Sequence, residues 1–343
     1  MTKEQLQDKN RGSFIGEAIG DALGYPVEFV DSFEEIRARY GERGITAYEL
    51  NSNGIAEFSD DTQMMLYTAE GLLEAKRCGK PLVPMICNAY IAWFGGQVGK
   101  KVKISYDSEL SKIEELNQRR APGNTCLSAL LSIYNGKDPM NSSKGCGGIM
   151  RVAPIGLYGA SHGWTLEKTA KLSGEVAELT HLHPLSTYSS AALAVIVQLC
   201  ASVEAAIDRV AFKDIVHNSL EVVSGVYGAD APAMDDFQKL IRKALSLENN
   251  SFHDWEIIEN VLGGGWVAEE TLAIAVFSVI RHIDDFNACM ICSVNHGGDS
   301  DSTGAIAGNI IGAILGYNAI PDKFAESIQL KDLLITTADA LAE

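Results

Sequence analysis

Near its C-terminus the 343-residue sequence has no apolar run of bilayer-spanning length. Its most apolar stretch near the C-terminus, Thr303 to Ile320, is interrupted by Asn309 and closed by Pro321. A membrane helix needs about 20 apolar residues, so this stretch is expected to be a core helix and no membrane partner is expected. Positive charge is also scarce: 28 Lys and Arg stand against 45 Asp and Glu, a net charge of -17. A surface of that sign repels polyanions and excludes a nucleic-acid polymer as partner. The one local exception, Lys100, Lys101 and Lys103, reads as a solvated loop. The seven cysteines show no disulfide framework, and the polar start Met1-Thr2-Lys3-Glu4-Gln5 lacks an apolar signal region. Reduced thiols and a cytoplasmic location are therefore expected. Cys289-Met290-Ile291-Cys292 is a lone CxxC without a second pair and reads as part of a buried helix rather than a zinc or redox motif. Period-two alternation is nearly absent, which argues against a sheet.

Apolar residues instead recur at three- and four-residue spacing. They do so in Phe14–Leu23, Met64–Leu73, Met85–Phe94, Leu127–Tyr134, Ala191–Val203, Phe237–Leu245, Leu272–Ile283, Ala305–Leu315 and Leu330–Leu341. Gly/Pro punctuation such as Gly79-Lys80-Pro81 and Ala121-Pro122-Gly123 falls between them. This pattern predicts an all-α, compact multi-helix bundle. No linker-like segment divides it, so a single domain over residues 1–343 is expected. Lys101–Gln118 reads either as a loop at a cleft mouth or as a connecting helix.

Two helical segments carry glycine at every fourth position: Gly12, Gly16, Gly20 and Gly24, then Gly304, Gly308, Gly312 and Gly316. Each helical glycine costs roughly 0.5 to 1 kcal/mol relative to alanine, so close packing must offset the loss. Residues four apart share a face and form a groove into which a neighbouring backbone can sink. The two stripes are expected to pack on each other or on the acid-bearing helices.

The acids are the second signal. Ser59-Asp60-Asp61-Thr62 and Asp299-Ser300-Asp301-Ser302-Thr303 each open an apolar helix. Taken alone, the first is equally an N-cap followed by acids that complement the helix dipole. In the second, Gly297-Gly298 precede two carboxylates at i and i+2 that can share one hard cation. Brought together, the four carboxylates would repel one another unless divalent ions neutralised them, and oxygen-only donors favour Mg²⁺ or Mn²⁺ over zinc. A metal-assisted hydrolase follows from this reading.

Several motifs, in order along the chain, resemble the ADP-ribosylglycohydrolase family. They are Gly20-Asp21-Ala22-Leu23-Gly24 with Glu28, the Ser59–Thr62 turn, Arg120–Thr125, Gly145–Arg151, Thr180-His181, Trp266–Glu270 and Gly297–Ser302. The resemblance implies an all-helical orthogonal bundle with a binuclear Mg²⁺ or Mn²⁺ centre. It implies Ser59, Asp60, Asp61, Asp299, Asp301 and Ser302 as metal ligands, with Asp301 bridging, and Glu28 as an acid on a loop closing over the metals. Gly145, Cys146, Gly147 and Gly148 would offer backbone N–H groups to the diphosphate, and His181 would contact the distal ribose and phosphate. Asp60, Glu28 and Asp299 are the catalytic candidates.

The activity so implied is removal of mono-ADP-ribose from modified protein side chains, arginine foremost, with ADP-ribose as product. The same residues leave open a non-catalytic ADP-ribose-binding relative and a hydrolase of free ADP-ribosyl metabolites.

Overall fold

The computed structural model describes all 343 residues. Sixteen α-helices are joined by turns and by longer loops such as those between Tyr40 and Asp60 and between Gln97 and Asn124, and no β-strand forms. Extended pairing is limited to three isolated bridges, Leu50 with Ala56, Ala56 with Ile328 and Gly145 with Val267. Each of the nine segments with helical periodicity lies essentially within a helix, as the pattern required. Helices that the pattern did not single out, among them Phe33–Tyr40, Ala153–Ser161, Leu166–Ala177 and Arg209–Tyr227, account for most of the rest. Cys289 and Cys292 are buried in the helix Phe286–Val294, and all seven cysteines are free. Lys101–Gln118 forms no α-helix, only the short turns Leu110–Lys112 and Glu114–Asn117.

One contiguous core of 94 buried apolar residues reaches from Phe14 to Leu341. At its centre lies the helix Pro184–Ser202, long and apolar enough to cross a bilayer, with 83% of its most apolar window buried among other helices. It is apolar all round because neighbours cover it on every side.

The glycine stripes determine which chain ends meet. The helices Lys3–Gly24 and Ser300–Leu315 run antiparallel and share one groove. A Cβ placed on Gly12, Gly16, Gly20 or Gly24 would overlap the backbone of Gly312, Gly308, Gly304 or Ser300 respectively. The reverse holds for Gly304, Gly308 and Gly312. Only hydrogen on the α-carbons allows this approach, and the dense contact replaces the helix propensity that the glycines forgo. Gly316 differs: it ends the second helix at φ +81°, a left-handed conformation suited to glycine. Because the pairing is antiparallel, the C-terminal end of the first helix, with Asp21, lies against the start of the second, with Asp299 and Asp301.

Candidate functional site

The site forms where three helix ends converge. Ser59 caps the helix Asp60–Cys78, its hydroxyl accepting from the Asp61 N–H at 3.2 Å. The capping role read from sequence is therefore real, and the acids that follow it still face Asp299 and Asp301. Asp21, from the glycine-striped first helix, braces the same turn. Its carboxylate accepts from the Ser59 N–H at 2.7 Å, the Thr62 N–H at 3.0 Å and the Thr62 hydroxyl at 2.6 Å. Across the interface the Ser302 hydroxyl donates to Asp61 at 2.7 Å, joining residues 241 positions apart.

The Asp299 turn is pinned by backbone. Gly298, at φ +134°, admits the backbone of Gly264 where a Cβ would collide with it, and the Asp299 N–H donates to the Gly264 carbonyl at 2.8 Å. Glu259 accepts from the N–H groups of both Phe33 and Gly297, at 2.7 and 2.8 Å. One carboxylate thus ties the segment after Glu28 to the turn before Asp299. Opposite, Ala121 adopts a left-handed φ of +53°, uncommon for a residue with a Cβ. This conformation lies within the turn whose Gly123 N–H bonds to the Asp60 carboxylate.

Asp21, Glu28, Asp60, Asp61, Asp299 and Asp301 are all buried, and none forms a salt bridge. Arg120, which lies nearby, is committed to Glu57 at 3.1 Å and to the Phe58 carbonyl at 2.9 Å. Burial first, and the neighbouring carboxylates second, push these acids upward. Asp21 rises to about 7 and Glu28 to about 11, while Asp60, Asp61 and Asp299 rise well above the carboxylate range. One oxygen each of Glu28 and Asp299 is buried without a partner. Ligand oxygens of Glu28, Asp299 and Asp301 lie within 4.8 Å of one another. Buried polar atoms are ordinarily satisfied, so an anionic cluster with orphaned oxygens fits hard divalent cations.

These acids floor a cleft of about 670 Å³. Its wall includes Gly145, Cys146 and Gly147, while Gly148 lies behind, packed against Ser186 and His181. The Cys146 N–H is already spent on the Trp266 carbonyl at 3.3 Å, so the turn offers fewer free donors than its glycines suggest. The Cys146 thiol sits beside Asp299 and Asp61, and burial with those charges pushes it up.

His181 lies over the turn, its Nε2 3.3 Å from where a Gly145 Cβ would be. Burial, with Arg151 nearby, lowers it to about 3. Arg151 donates to the Thr180 hydroxyl at 2.6 Å, and that hydroxyl lies 2.9 Å from His181 Nδ1. Assigned from this network, the Thr180 proton points at Nδ1 and leaves the imidazole hydrogen on Nε2, facing the cleft. At the cleft mouth the exposed rings of Phe29 and Trp266 stack with centroids 5.9 Å apart.

The ADP-ribosylglycohydrolase family model matches residues 2–343. The chain belongs to the ADP-ribosylglycohydrolase family. It is 26% identical to the ADP-ribosyl-[dinitrogen reductase] glycohydrolase of Rhodospirillum rubrum, over 96% of this chain and 94% of that one. It is 23% identical to the ADP-ribosylarginine hydrolase Tri1 of Serratia proteamaculans, over 99% of this chain and 81% of the relative. A solved structure titled ADP-ribosylglycohydrolase-related protein complex shares the fold at a TM-score of 0.68 and 24% identity, covering 99% of this chain and 98% of its own. The structure brings Glu28, both acidic turns, the Gly145 turn and His181 around one cleft.

Asp21, Thr180, Arg151 and Glu259 were not singled out as site residues from the sequence. The available signal for Asp21 was an acid within an apolar, glycine-striped helix. Arg151 and Thr180 stand within the motifs named above, but their link was not legible because the two residues are 29 positions apart.

Proposed function

We propose that this chain hydrolyses the glycosidic bond between ADP-ribose and an arginine side chain of a modified protein. The observation that carries the reading is the convergence of unpaired buried carboxylates, Glu28, Asp299 and Asp301 within 4.8 Å, at the floor of a cleft lined by Gly145, Gly147 and His181. Arginine as the acceptor is supported by the named activity of the Serratia relative.

Ser59, Asp60, Asp61, Asp299, Asp301 and Ser302 would hold two divalent ions, Mg²⁺ or Mn²⁺. When bound, such ions supply charge neutralisation and Lewis-acid polarisation at the ribose. The Gly147 N–H and His181 Nε2–H serve the diphosphate and distal ribose as neutral donors. Asp60, oriented by the Gly123 N–H, takes the proton of the attacking water as its oxygen bonds to the anomeric carbon. The carbon–nitrogen bond breaks, and Glu28, acting in its carboxylic acid form, returns a proton to the departing guanidine nitrogen. ADP-ribose and unmodified arginine are the products.

The test is incubation with arginine-, serine- and glutamate-linked ADP-ribosyl proteins, with and without EDTA. Release of ADP-ribose from the arginine conjugate, abolished by EDTA and restored by Mg²⁺ or Mn²⁺, is expected. Preference for another linkage would overturn the arginine assignment, and undiminished turnover in EDTA would overturn the ion-dependent site.

A further inference from the structure

A second groove of about 670 Å³ adjoins the catalytic cleft, and Asn124 and Thr125 line both. It runs between the C-terminal end of the helix Leu82–Gln97 and the helix Asn124–Tyr134, with Phe94, Leu127 and Leu131 contributing apolar surface. Leu131 and Tyr134 remain 48% and 43% exposed. Lys100 and Lys101 line it, and with Lys103 they also line a second depression of about 960 Å³ on the other side of their segment.

None of the three lysines makes a salt bridge or side-chain hydrogen bond. Asp107 of the second depression is engaged by Lys112 at 2.7 Å. In a chain of net charge -17, an unpaired cationic segment beside an exposed apolar groove is a local reversal of the surface field. The segment is a solvated loop, as its sequence suggested, but it stands at the edge of two clefts rather than over open surface.

We propose that this groove docks the substrate protein, taking an apolar side chain flanked by carboxylates that lies a few residues from the ADP-ribosylated residue. The inference rests on the reading that the substrate is a modified protein. Two features select this occupant. The shared residues Asn124 and Thr125 make the groove continuous with the cleft that holds the ribose. The lysines attract acidic partners and repel basic ones, which sets substrate choice more than catalytic rate. A small ADP-ribosyl compound would not reach the groove and would be indifferent to it.

The test uses two fluorescein-labelled peptides, one with a leucine flanked by glutamates and one with the same leucine flanked by lysines. Binding is read by anisotropy, independently of turnover, with the wild type, the triple variant Lys100→Glu/Lys101→Glu/Lys103→Glu and Leu131→Ser. Both variants alter exposed side chains, so folding is preserved. The acidic peptide is expected to bind the wild type, to lose at least tenfold affinity with either variant and to weaken with added salt, while the lysine peptide does not bind. Hydrolysis of free ADP-ribosylarginine is expected to be equal for the wild type and the triple variant. Equal binding of both peptides, or affinities unchanged by the variants, overturns the docking proposal even where hydrolysis proceeds. A dimer that the triple variant dissociates, with no peptide bound, overturns it in favour of a second copy on this face. Peptide binding by a wild type that fails to hydrolyse ADP-ribosylarginine supports the groove and refutes the proposed activity instead.

Discussion

Replacing Gly308 with alanine tests the packing that assembles the site, because the same substitution at Gly225 should have the opposite sign. Both glycines are helical, so each variant gains up to about 1 kcal/mol of helix propensity. At Gly225, in the helix Arg209–Tyr227, an added Cβ meets nothing within 4 Å, and the gain is expressed in full. At Gly308 the methyl group would overlap the Gly16 carbonyl and lie 2.9 Å from the Glu17 nitrogen. Backbone of a packed helix cannot rotate aside as a side chain can, so the upper end of the overpacking cost applies, about 3 kcal/mol. The expected net change is a loss of about 2 kcal/mol, the difference of those two estimates. Urea denaturation of the two variants and wild type at one pH measures it. A Gly308→Ala midpoint at or above wild type, or shifts of the same direction in both variants, would refute the close-approach argument.

Asp60→Ala is expected to retain wild-type helical circular dichroism while losing more than tenfold in kcat, a barrier increase above about 1.4 kcal/mol. Retained turnover would remove Asp60 as the principal base. For the ion-free protein, stability is expected to fall as pH rises from about 5 to 8. Asp21, raised to about 7, and Glu28, raised to about 11, bind protons in the native state that the unfolded chain has released. Their contribution is present below the unfolded carboxylate range and is lost as pH climbs towards the folded values. Saturating Mg²⁺ should flatten that slope, and thermal melts across pH with and without the ion measure both effects. Phe29→Ala removes a stacked pair worth about 0.5 to 1.5 kcal/mol next to Glu28. A fall in kcat/KM of up to about tenfold with little change in melting temperature is expected, read by steady-state kinetics beside calorimetry.

The helical architecture was legible because apolar periodicity is strong wherever a helix is half-buried. It was weaker for Phe33–Tyr40 and Arg209–Tyr227, whose exposed faces are broad and whose buried residues are few. The meeting of the chain ends was legible too, since glycines repeated every fourth residue on two helices fit another backbone, as seven of the eight do. The partners of each acid were not legible. Asp21 braces a turn 38 residues away and Glu259 joins two segments far from it in sequence. Both depend on tertiary placement rather than local pattern. The sequence likewise could not show that the Cys146 N–H is occupied, because its acceptor, Trp266, is 120 residues downstream.

The antiparallel glycine pairing also constrains how the molecule comes into being. The helix Lys3–Gly24 leaves the ribosome early, yet its groove stays open until Ser300–Leu315 has been made, roughly 280 residues and about 15 to 55 s later at ordinary elongation rates. Through that interval an apolar, glycine-rich surface and several unneutralised acids wait without their counterpart. Completion of the site therefore waits until the chain has been made past Leu315, and a nascent chain arrested before residue 300 should be catalytically silent and a substrate for chaperones.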